Sequence, residues 1–214
     1  MEAEKVGVLA MGSHNEKHGA ALPPDTDAKL AAYVAQEAAR RTGAKFIGVL
    51  FSSYELPKIE TGEHQPVETV LEELKSALLN AKRLLDIKGV VIVNGHGGNK
   101  PIAEKIPEIE KEVGLKIAFN STLVDLEGPH AGTGELSMGA AIGILDPSKL
   151  DEHTDFTKYP EVGFVGLTEA RRKYEWVDRQ AQEIMRLGVK ASLFLGRNLL
   201  ECTISDVINT IKEL

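Results

Sequence analysis

Short apolar segments that alternate with longer amphipathic ones set the strongest limit on how this chain can fold. Each short segment is an almost continuous apolar run, which is typical of a strand buried on both faces of a sheet. Helical segments between such strands favour parallel pairing, because the chain must return to the same end of the sheet. We therefore predict an α/β fold, a single-domain sandwich in which helices flank a mostly parallel sheet. The predicted strands are Val6–Met11 and residues 45–51, 89–93 and 115–120.

Six further segments are predicted as helices. Helical spacing of apolar side chains marks the first of them, with Asp25 as its N-cap candidate and Gly43 as its stop signal. Pro107 should kink or interrupt the third helix, because proline lacks the backbone N–H that a helix interior uses. The predicted helices are Val67–Leu85 and residues 25–41, 101–112, 135–145, 168–187 and 203–214.

The length and composition of the chain suit one compact domain over residues 1–214. Hydrophobic residues make up 43% of the 214 residues and charged residues 27%, which allows a sizeable core. No apolar run approaches the length that spans a bilayer. The N-terminus lacks the basic start and apolar stretch of a secretory signal. We therefore expect a cytoplasmic protein without a membrane partner.

A single cysteine and a net negative charge exclude several kinds of site. With Cys202 alone, neither an intrachain disulfide nor a thiolate-rich zinc site can form, so any metal must bind nitrogen and oxygen ligands. The formal charge of −7, without a dense basic run, argues against a nucleic-acid partner. A small anionic substrate is still compatible, because a local pocket can be positive on a negative surface.

Polar clusters follow three of the four predicted strands. They comprise residues 12–27 after the first strand, 94–99 after the third and 127–135 after the fourth. Parallel sheets bind ligands in a crevice at the carboxyl ends of their strands, where such loops meet. The sequence therefore predicts one site built from three loops.

The first cluster contains Glu16 and His18, two residues apart, and Asp27 at the start of a predicted helix. In an extended segment, residues i and i+2 point the same way, so Glu16 and His18 can face one ligand. One imidazole and two carboxylates suit Zn²⁺, Fe²⁺ or Mn²⁺. The alternative is a solvated loop in which Asp27 only caps the helix, although Asp25 is the better-placed cap.

The second cluster places His96 among three glycines, directly after the strongest predicted strand. The glycines leave His96 without packing partners in the local sequence, which favours a metal ligand. A glycine loop that cradles a phosphate at the next helix N-terminus is an equal alternative. Gly97, Gly98 and Asn99 are therefore candidate substrate contacts.

The third cluster offers His130 as a general acid and base and Glu135 as a metal ligand or base. Its alternative is a tight turn before a helix, with Glu135 in the first turn, where the helix dipole favours a negative charge. His64 is a further candidate substrate contact, with an exposed turn as the alternative. His153 lies in an acidic, polar stretch and is predicted to be exposed.

The three clusters together resemble the motifs of the creatininase family of amidohydrolases. Their order and spacing match across most of the chain. The matching segments are Gly12-Ser13, Glu16-Lys-His18-Gly19, Leu22-Pro23 and Thr26-Asp27 for the first motif, Asn94-Gly-His96-Gly-Gly-Asn99 for the second and His130-Ala-Gly-Thr-Gly-Glu135-Leu-Ser137 for the third.

The resemblance implies an α/β sandwich with a dinuclear metal centre at the strand ends. It implies that Asp27 bridges two divalent ions, for which iron is favoured and zinc and manganese are alternatives. Creatininase itself carries a glutamate ligand two residues after the second-motif histidine, where this chain has Gly98. The second ion therefore has one ligand fewer, borrows Glu135 or keeps water. The implied ligands are Glu16, His18, Asp27 and His96.

The resemblance also implies hydrolysis of a C–N bond other than a peptide bond in a small molecule. The run from Gly12 to Asp27 is most similar to a subgroup that removes a formyl group, as formate, from a pyrimidine ribotide in riboflavin and deazaflavin coenzyme biosynthesis. His130 would stabilise the oxyanion or protonate the leaving ring amine. Creatinine is not expected as the substrate, because Trp176, the sole tryptophan, matches neither tryptophan that covers creatinine in that enzyme.

Two alternative functions remain at this point. One is another creatininase-like amidase or peptidase that acts on a cyclic amide or a modified peptide. The other is a non-enzymatic phosphate- or nucleotide-binding domain that uses the glycine loop around His96. For the enzyme, we expect a homo-oligomer with a small-molecule substrate.

Overall fold

A four-stranded sheet with all strands parallel lies at the centre of the computed structural model, which describes residues 2–214. The strands are β1 (Val6–Met11), β2 (Lys45–Leu50), β3 (Gly89–Asn94) and β4 (Lys116–Asn120), in the order β2-β1-β3-β4. Every residue of β1 and β3 is buried, as expected for central strands covered on both faces. The predicted α/β fold is therefore confirmed.

Helices cover both faces of this sheet. The α-helices among residues 2–214 are α1 (Thr26–Thr42), α2 (Val67–Leu85), α3 (Ile106–Val113), α4 (Thr122–Glu127), α5 (Thr133–Ile142), α6 (Leu150–His153), α7 (Thr168–Lys173), α8 (Glu175–Leu187) and α9 (Leu193–Glu213). Side chains alternate between the two faces along each strand. Val6, Val8 and Ala10 of β1 pack with residues of α1 and α9, whereas Leu9 and Met11 pack with residues of α2 and α3.

The helix predicted over residues 101–112 is interrupted, as Pro107 indicates. A 3₁₀ helix runs over Gly97–Lys105, and α3 begins at Ile106, so that Pro107 lies in its first turn. A proline is tolerated there, because the first backbone N–H groups of a helix have no partner within it. The 3₁₀ segment places the backbone of Gly97 and Gly98 next to His96 at the end of β3.

Two other helix predictions differ from the structure. The single helix predicted over residues 168–187 is broken at Tyr174, whose φ of −121° and ψ of 115° are extended, although no glycine or proline marks the break. The last helix begins at Leu193 rather than at residue 203, with the Ser192 hydroxyl as a cap that accepts from the Leu195 N–H. Its first turn exposes Leu193 and Phe194, so the apolar pattern that predicts a helix is absent there.

The start of α1 lies unusually close to the ends of β1 and β3. A Cβ atom added to Gly12 would lie 2.6 Å from the backbone carbon of Asp27, and one added to Gly95 would lie 2.7 Å from the Asp27 carbonyl oxygen. Only glycine fits at both positions, because neither contact can be relieved by moving a flexible side chain. These two glycines bring the first turn of α1, and with it Asp27, to the carboxyl edge of the sheet.

None of the helices within residues 2–214 has both the length and the apolar character that a bilayer span requires.

Replacement of a buried leucine on α2 should destabilise the fold. Leu78 is fully buried in the core between α2 and the sheet, so Leu78→Ala should lower the free energy of unfolding by about 2–5 kcal/mol. Leu84→Ala on the same helix is the matched control, because Leu84 is 71% exposed and its change should stay within about 0.5 kcal/mol. Urea unfolding followed by circular dichroism measures both. Equal losses for the two variants would contradict the packing described for α2.

Candidate metal centre

Two loops and the first turn of α1 bring the four predicted ligands together at the carboxyl edge of the sheet. Glu16 and His18 come from the loop after β1, Asp27 from the first turn of α1 and His96 from the loop after β3. All four side chains are buried. His96 Nδ1 lies 2.8 Å from Glu16 Oε2 and 2.9 Å from Asp27 Oδ2, and His18 Nε2 lies 2.8 Å from Asp27 Oδ1. The convergence expected from the strand ends is therefore present.

The two carboxylate oxygens of Asp27 face two different histidines. Oδ1 faces His18 and Oδ2 faces His96, so the carboxylate lies between the two imidazoles. Asp25, the cap candidate, occupies the N-cap position but makes no side-chain cap hydrogen bond, and its carboxylate pairs instead with Lys29 at 2.8 Å. Asp27 therefore lies between two imidazoles, and Asp25, not Asp27, occupies the N-cap position of the helix.

Each of these two histidines uses its other ring nitrogen to hold its orientation. His18 Nδ1 lies 3.0 Å from the Glu16 carbonyl oxygen, and His96 Nε2 lies 3.0 Å from the Tyr54 carbonyl oxygen. A carbonyl oxygen can only accept, so the proton of each neutral ring lies on the nitrogen that faces it. The remaining nitrogen of each ring then presents a lone pair towards carboxylate oxygens. Such an arrangement requires a proton or a metal cation between each of these ring nitrogens and the carboxylate oxygens, because both are acceptors.

Protons fill this role when metal is absent, as the pKa values of both histidines indicate. Burial alone would lower the pKa of His18, but Asp27, Glu135 and Glu16 together raise it to about 10. Burial likewise opposes protonation of His96, yet the charge of Glu16 and the hydrogen bonds to Asp27 and Glu16 raise its pKa well above the usual value. Both histidines therefore lie in environments that strongly favour a positive charge.

Glu135 and His130, from the third predicted cluster, border the same group. Glu135 lies in the first turn of α5, with Oε2 3.8 Å from His18 Nε2 and accepting a hydrogen bond from the Ala131 N–H. His130 Nε2 lies 2.9 Å from the Lys17 carbonyl oxygen, and its Nδ1 lies 3.9 Å from Glu135 Oε1. Since His130 Nε2 also lies 3.9 Å from Glu16 Oε1, the ring is beside the carboxylates of both Glu16 and Glu135, without a direct hydrogen bond to either.

A cleft of about 600 Å³ opens above these residues. Its floor contains Glu16, Asp27, His96 and Glu135, and Gly97 and Gly98 form part of its wall. This volume is within the range of pockets that enclose small-molecule ligands. On the opposite wall, Phe164 stacks on His130 at 5.1 Å and meets Trp176 edge-on at 5.7 Å. The cleft therefore combines a polar floor with an aromatic wall.

Two of the candidate substrate contacts lie elsewhere. Asn99 is fully buried, its Oδ1 accepts from the Tyr54 N–H at 2.9 Å, and its Nδ2 donates to Asn94. Its side chain therefore braces the loop that carries His96. His64 lines a neighbouring depression, where its ring stacks on that of His96 at 5.0 Å.

His153 differs most clearly from its prediction. It is completely buried, whereas its acidic, polar sequence context indicated an exposed residue. Its Nε2 donates to the Ala131 carbonyl oxygen at 2.8 Å, and its Nδ1 accepts from the Ala21 N–H at 3.2 Å. The ring therefore connects the first loop of the site to the third, a long-range role that no local pattern indicates.

Two carboxylates of the cleft are absent from the sequence-based prediction. Glu127 lies at the C-terminal end of α4, where burial and then the charges of Glu135 and Asp27 raise its pKa well above the usual value. Glu55 lies in the loop after β2, and its Oε2 is 3.6 Å from His96 Nε2. The signal that identified the other three loops, a polar segment after a strand end, also applies to the loop of Glu55.

The donor chemistry of the group fits divalent metal ions. Two of its triads, Glu16 with His18 and His130, and His18 with Asp27 and Glu135, offer ligand atoms within 4.8 Å of one another. Glu16 Oε2 is buried and has no hydrogen-bond partner of suitable geometry, which leaves a negative atom aimed into the group. Mixed imidazole and carboxylate donors suit Zn²⁺, Fe²⁺ and Mn²⁺.

Comparison with known proteins gives consistent results at the level of sequence and fold. The family model described as creatininase, creatinine amidohydrolase, matches residues 1–211. A 2-amino-5-formylamino-6-ribosylaminopyrimidin-4(3H)-one 5′-monophosphate deformylase of Methanosphaera stadtmanae is 46% identical over 214 residues, which cover 100% of this chain and 92% of that protein. The protein of the same name from Methanothermobacter thermautotrophicus is 48% identical, with 100% and 91% covered.

Solved structures of creatininase share the fold. One superposes with a TM-score of 0.71 at 18% identity, over 98% of this chain and 90% of that chain. A manganese form superposes with a TM-score of 0.70, also at 18% identity, over 98% and 91%. A zinc–zinc form of a creatininase mutant gives 0.69, so metal-containing relatives occur with both ions. From the match of the family model over nearly the whole sequence and the identity to full-length relatives, the chain belongs to the creatininase family.

Proposed function

We propose that this protein is a metal-dependent deformylase that hydrolyses 2-amino-5-formylamino-6-ribosylaminopyrimidin-4(3H)-one 5′-monophosphate to formate and the diaminopyrimidine. The observation that carries this proposal is the identity of 46% to 48% over the full chain to relatives of that name. The buried imidazole–carboxylate group at the floor of a cleft supports it, because amide hydrolysis by this route needs such a site.

In this proposal, Asp27 is the group that two divalent ions share. His96 Nδ1 lies close to Glu16 Oε2 and Asp27 Oδ2, and His18 Nε2 lies close to Asp27 Oδ1 and Glu135 Oε2. We assign Glu16 and His96 to the first ion, and His18 and Glu135 to the second. Iron is the proposed native metal, with zinc and manganese as alternatives. When bound, the ions would supply Lewis acidity, which lowers the pKa of a nearby water and polarises the formyl carbonyl.

His130 supplies the proton for the leaving group. His130 lines the cleft, and its Nε2 is held by the Lys17 carbonyl oxygen, so Nδ1 is the ring nitrogen that remains for catalysis. Cleavage of the C–N bond leaves the electron pair on the ring amine nitrogen, and protonated Nδ1 donates its proton there. The oxygen that water adds to the formyl carbon leaves as part of formate.

The walls of the cleft orient the pyrimidine ribotide. Gly97 and Gly98 let the substrate approach the backbone closely, and the aromatic pair Phe164 and Trp176 offers a flat apolar surface to the ring. Asn99 and His64 are also proposed for substrate binding, but they lie outside the cleft. They would act on the substrate indirectly, through their contacts with the His96 loop and ring. We further propose that residues 1–214 act as one creatininase-like domain, in a homo-oligomer in the cytoplasm.

Formate release should depend on bound metal. The purified protein should release formate from the formylaminopyrimidine ribotide, lose this activity on dialysis against a chelator, and recover it when Fe²⁺, Zn²⁺ or Mn²⁺ is added. Metal analysis and an enzymatic formate assay measure the two quantities in parallel. Metal-loaded protein that cleaves modified peptides or cyclic amides instead would indicate another creatininase-like amidase. Protein that never binds stoichiometric metal, yet binds phosphate, would indicate a binding domain.

Replacement of His130 should separate catalysis from metal binding. Because His130 lies beside the carboxylates, His130→Ala should retain the metal content of the wild type and lower turnover by about 10²–10⁴, the range of a general acid or base. Turnover is measured by formate release and metal by elemental analysis of the same sample. Loss of metal on purification would mean that His130 is a ligand and that the assignment of its role is wrong.

Replacement of Asp27 should remove both ions. Asp27→Asn keeps the size of the side chain but removes the charge that two adjacent cations share, so both should be depleted and formate release abolished. His96→Ala should deplete one ion only. Asp25→Asn is the control, since Asp25 pairs with Lys29 and lies outside the group. The fold should survive in Asp27→Asn, because backbone hydrogen bonds from Ala28 and Lys29 hold the start of α1. Full occupancy of both ions in Asp27→Asn would refute the bridging role.

A further inference from the structure

The loop after β2 packs against two segments that carry proposed ligands, although the sequence motifs do not include it. Its backbone is held against the first loop by hydrogen bonds from the Lys17 N–H to the Thr61 carbonyl at 2.7 Å and from the Glu63 N–H to the Asn15 carbonyl at 3.0 Å. On its other side, the Tyr54 N–H donates to Asn99 in the His96 loop. The loop is therefore fixed between two segments that carry proposed ligands.

Glu55 and His64 extend from this loop towards Glu16 and His96. Glu55 Oε2 lies 3.6 Å from His96 Nε2, and the His64 ring lies parallel to that of His96, with an interplanar angle of 10°. One donor atom from each of the four residues lies within 4.8 Å of the others. Metal–ligand bonds are about 2 Å long for these donors, so a shift of about 1 Å brings the four atoms around one cation.

Two atoms of this four-residue group are buried without a hydrogen bond of suitable geometry. They are Glu16 Oε2, which lies 2.8 Å from His96 Nδ1, and His64 Nε2. The other atom of each side chain is held: Glu16 Oε1 accepts from the Thr61 hydroxyl at 2.6 Å, and His64 Nδ1 lies 3.2 Å from the Ser53 hydroxyl. Metal-binding side chains typically have this arrangement, in which an outer hydrogen bond orients one atom and leaves the other for the ion.

The loop of Glu55 packs directly against Gly98. A Cβ atom at position 98 would lie 2.7 Å from His96 Nε2, 2.8 Å from Glu55 Oε1 and closer still to the Tyr54 carbonyl oxygen, so the backbone next to Glu55 leaves no room for a side chain there. Glycine at position 98 therefore lets the loop that carries Glu55 approach the His96 loop closely.

We propose that Glu55 and His64 are ligands of the ion held by Glu16 and His96. This inference rests on the metal centre of the proposed function and adds a fourth loop to it. One cation then accounts for the unpartnered His64 Nε2 and for the close approach of Glu16 Oε2 to His96 Nδ1. With Glu55, four carboxylates surround the two ions, the others being Glu16, Asp27 and Glu135. Their four negative charges neutralise two divalent cations.

Metal binding by two single variants tests the proposal. Glu55→Gln and His64→Gln should each bind the second ion as the wild type does and bind the first at least about tenfold more weakly, as expected for the loss of a ligand contact. Glu63→Gln is the control, since Glu63 is an exposed neighbour in the same loop. Competition with a chelator, followed by elemental analysis, gives the number and affinity of the ions. With Co²⁺ as the probe, the visible absorption of the first ion should change in both variants and not in the control.

The outcomes separate this proposal from the proposed function. Wild-type affinity for both ions and an unchanged Co²⁺ spectrum in both variants would overturn it. Loss of both ions together in variants that retain wild-type circular dichroism would also overturn it, because the effect must be confined to the first ion. Wild-type protein that binds two ions but releases no formate would refute the deformylase proposal and leave the ligand assignment standing.

Discussion

The position of the Asp27 carboxylate between two imidazoles is the constraint on which the rest of the site depends. It requires the first turn of α1 to lie against the ends of two central strands, and Gly12 and Gly95 make that approach sterically possible. With Asp27 fixed there, His18 and His96 meet it from opposite sides, each oriented by a backbone carbonyl oxygen. The two ion positions we propose follow directly from the two oxygens of this one side chain.

Several ionisable side chains are buried in this arrangement, and metal ions and protons compete for the positions between them. Protonated His18 stabilises the metal-free fold below its unfolded pKa of 6.5, and this contribution is lost as the pH rises through the folded pKa of about 10. A metal ion must displace that proton, so ion binding is coupled to proton release and weakens in acid. Burial, and then the charge of Glu135, raise the pKa of Glu127, and burial also raises the pKa of Glu135.

Local sequence patterns are sufficient to predict the sheet and the convergence of three loops. β1 and β3 are continuous apolar runs, and strand ends in a parallel sheet meet at one edge, so the sequence alone predicts that Glu16, Asp27 and His96 lie together. The same reasoning fails where contacts are distant in sequence. His153 is buried by partners in two other loops, and Glu55 reaches His96 from a loop that carries no motif. The first turn of α9 is missed for a different reason, since its exposed apolar side chains, Leu193 and Phe194, do not follow the amphipathic pattern of a helix.

The most direct test of this account is anomalous diffraction from crystals grown with the native metal, recorded above and below its absorption edge. We expect two anomalous peaks in each protein molecule. One should be bonded to Asp27 Oδ1 and His18, and the other to Asp27 Oδ2 and His96. A single peak, or two peaks that do not share the Asp27 carboxylate, would contradict it.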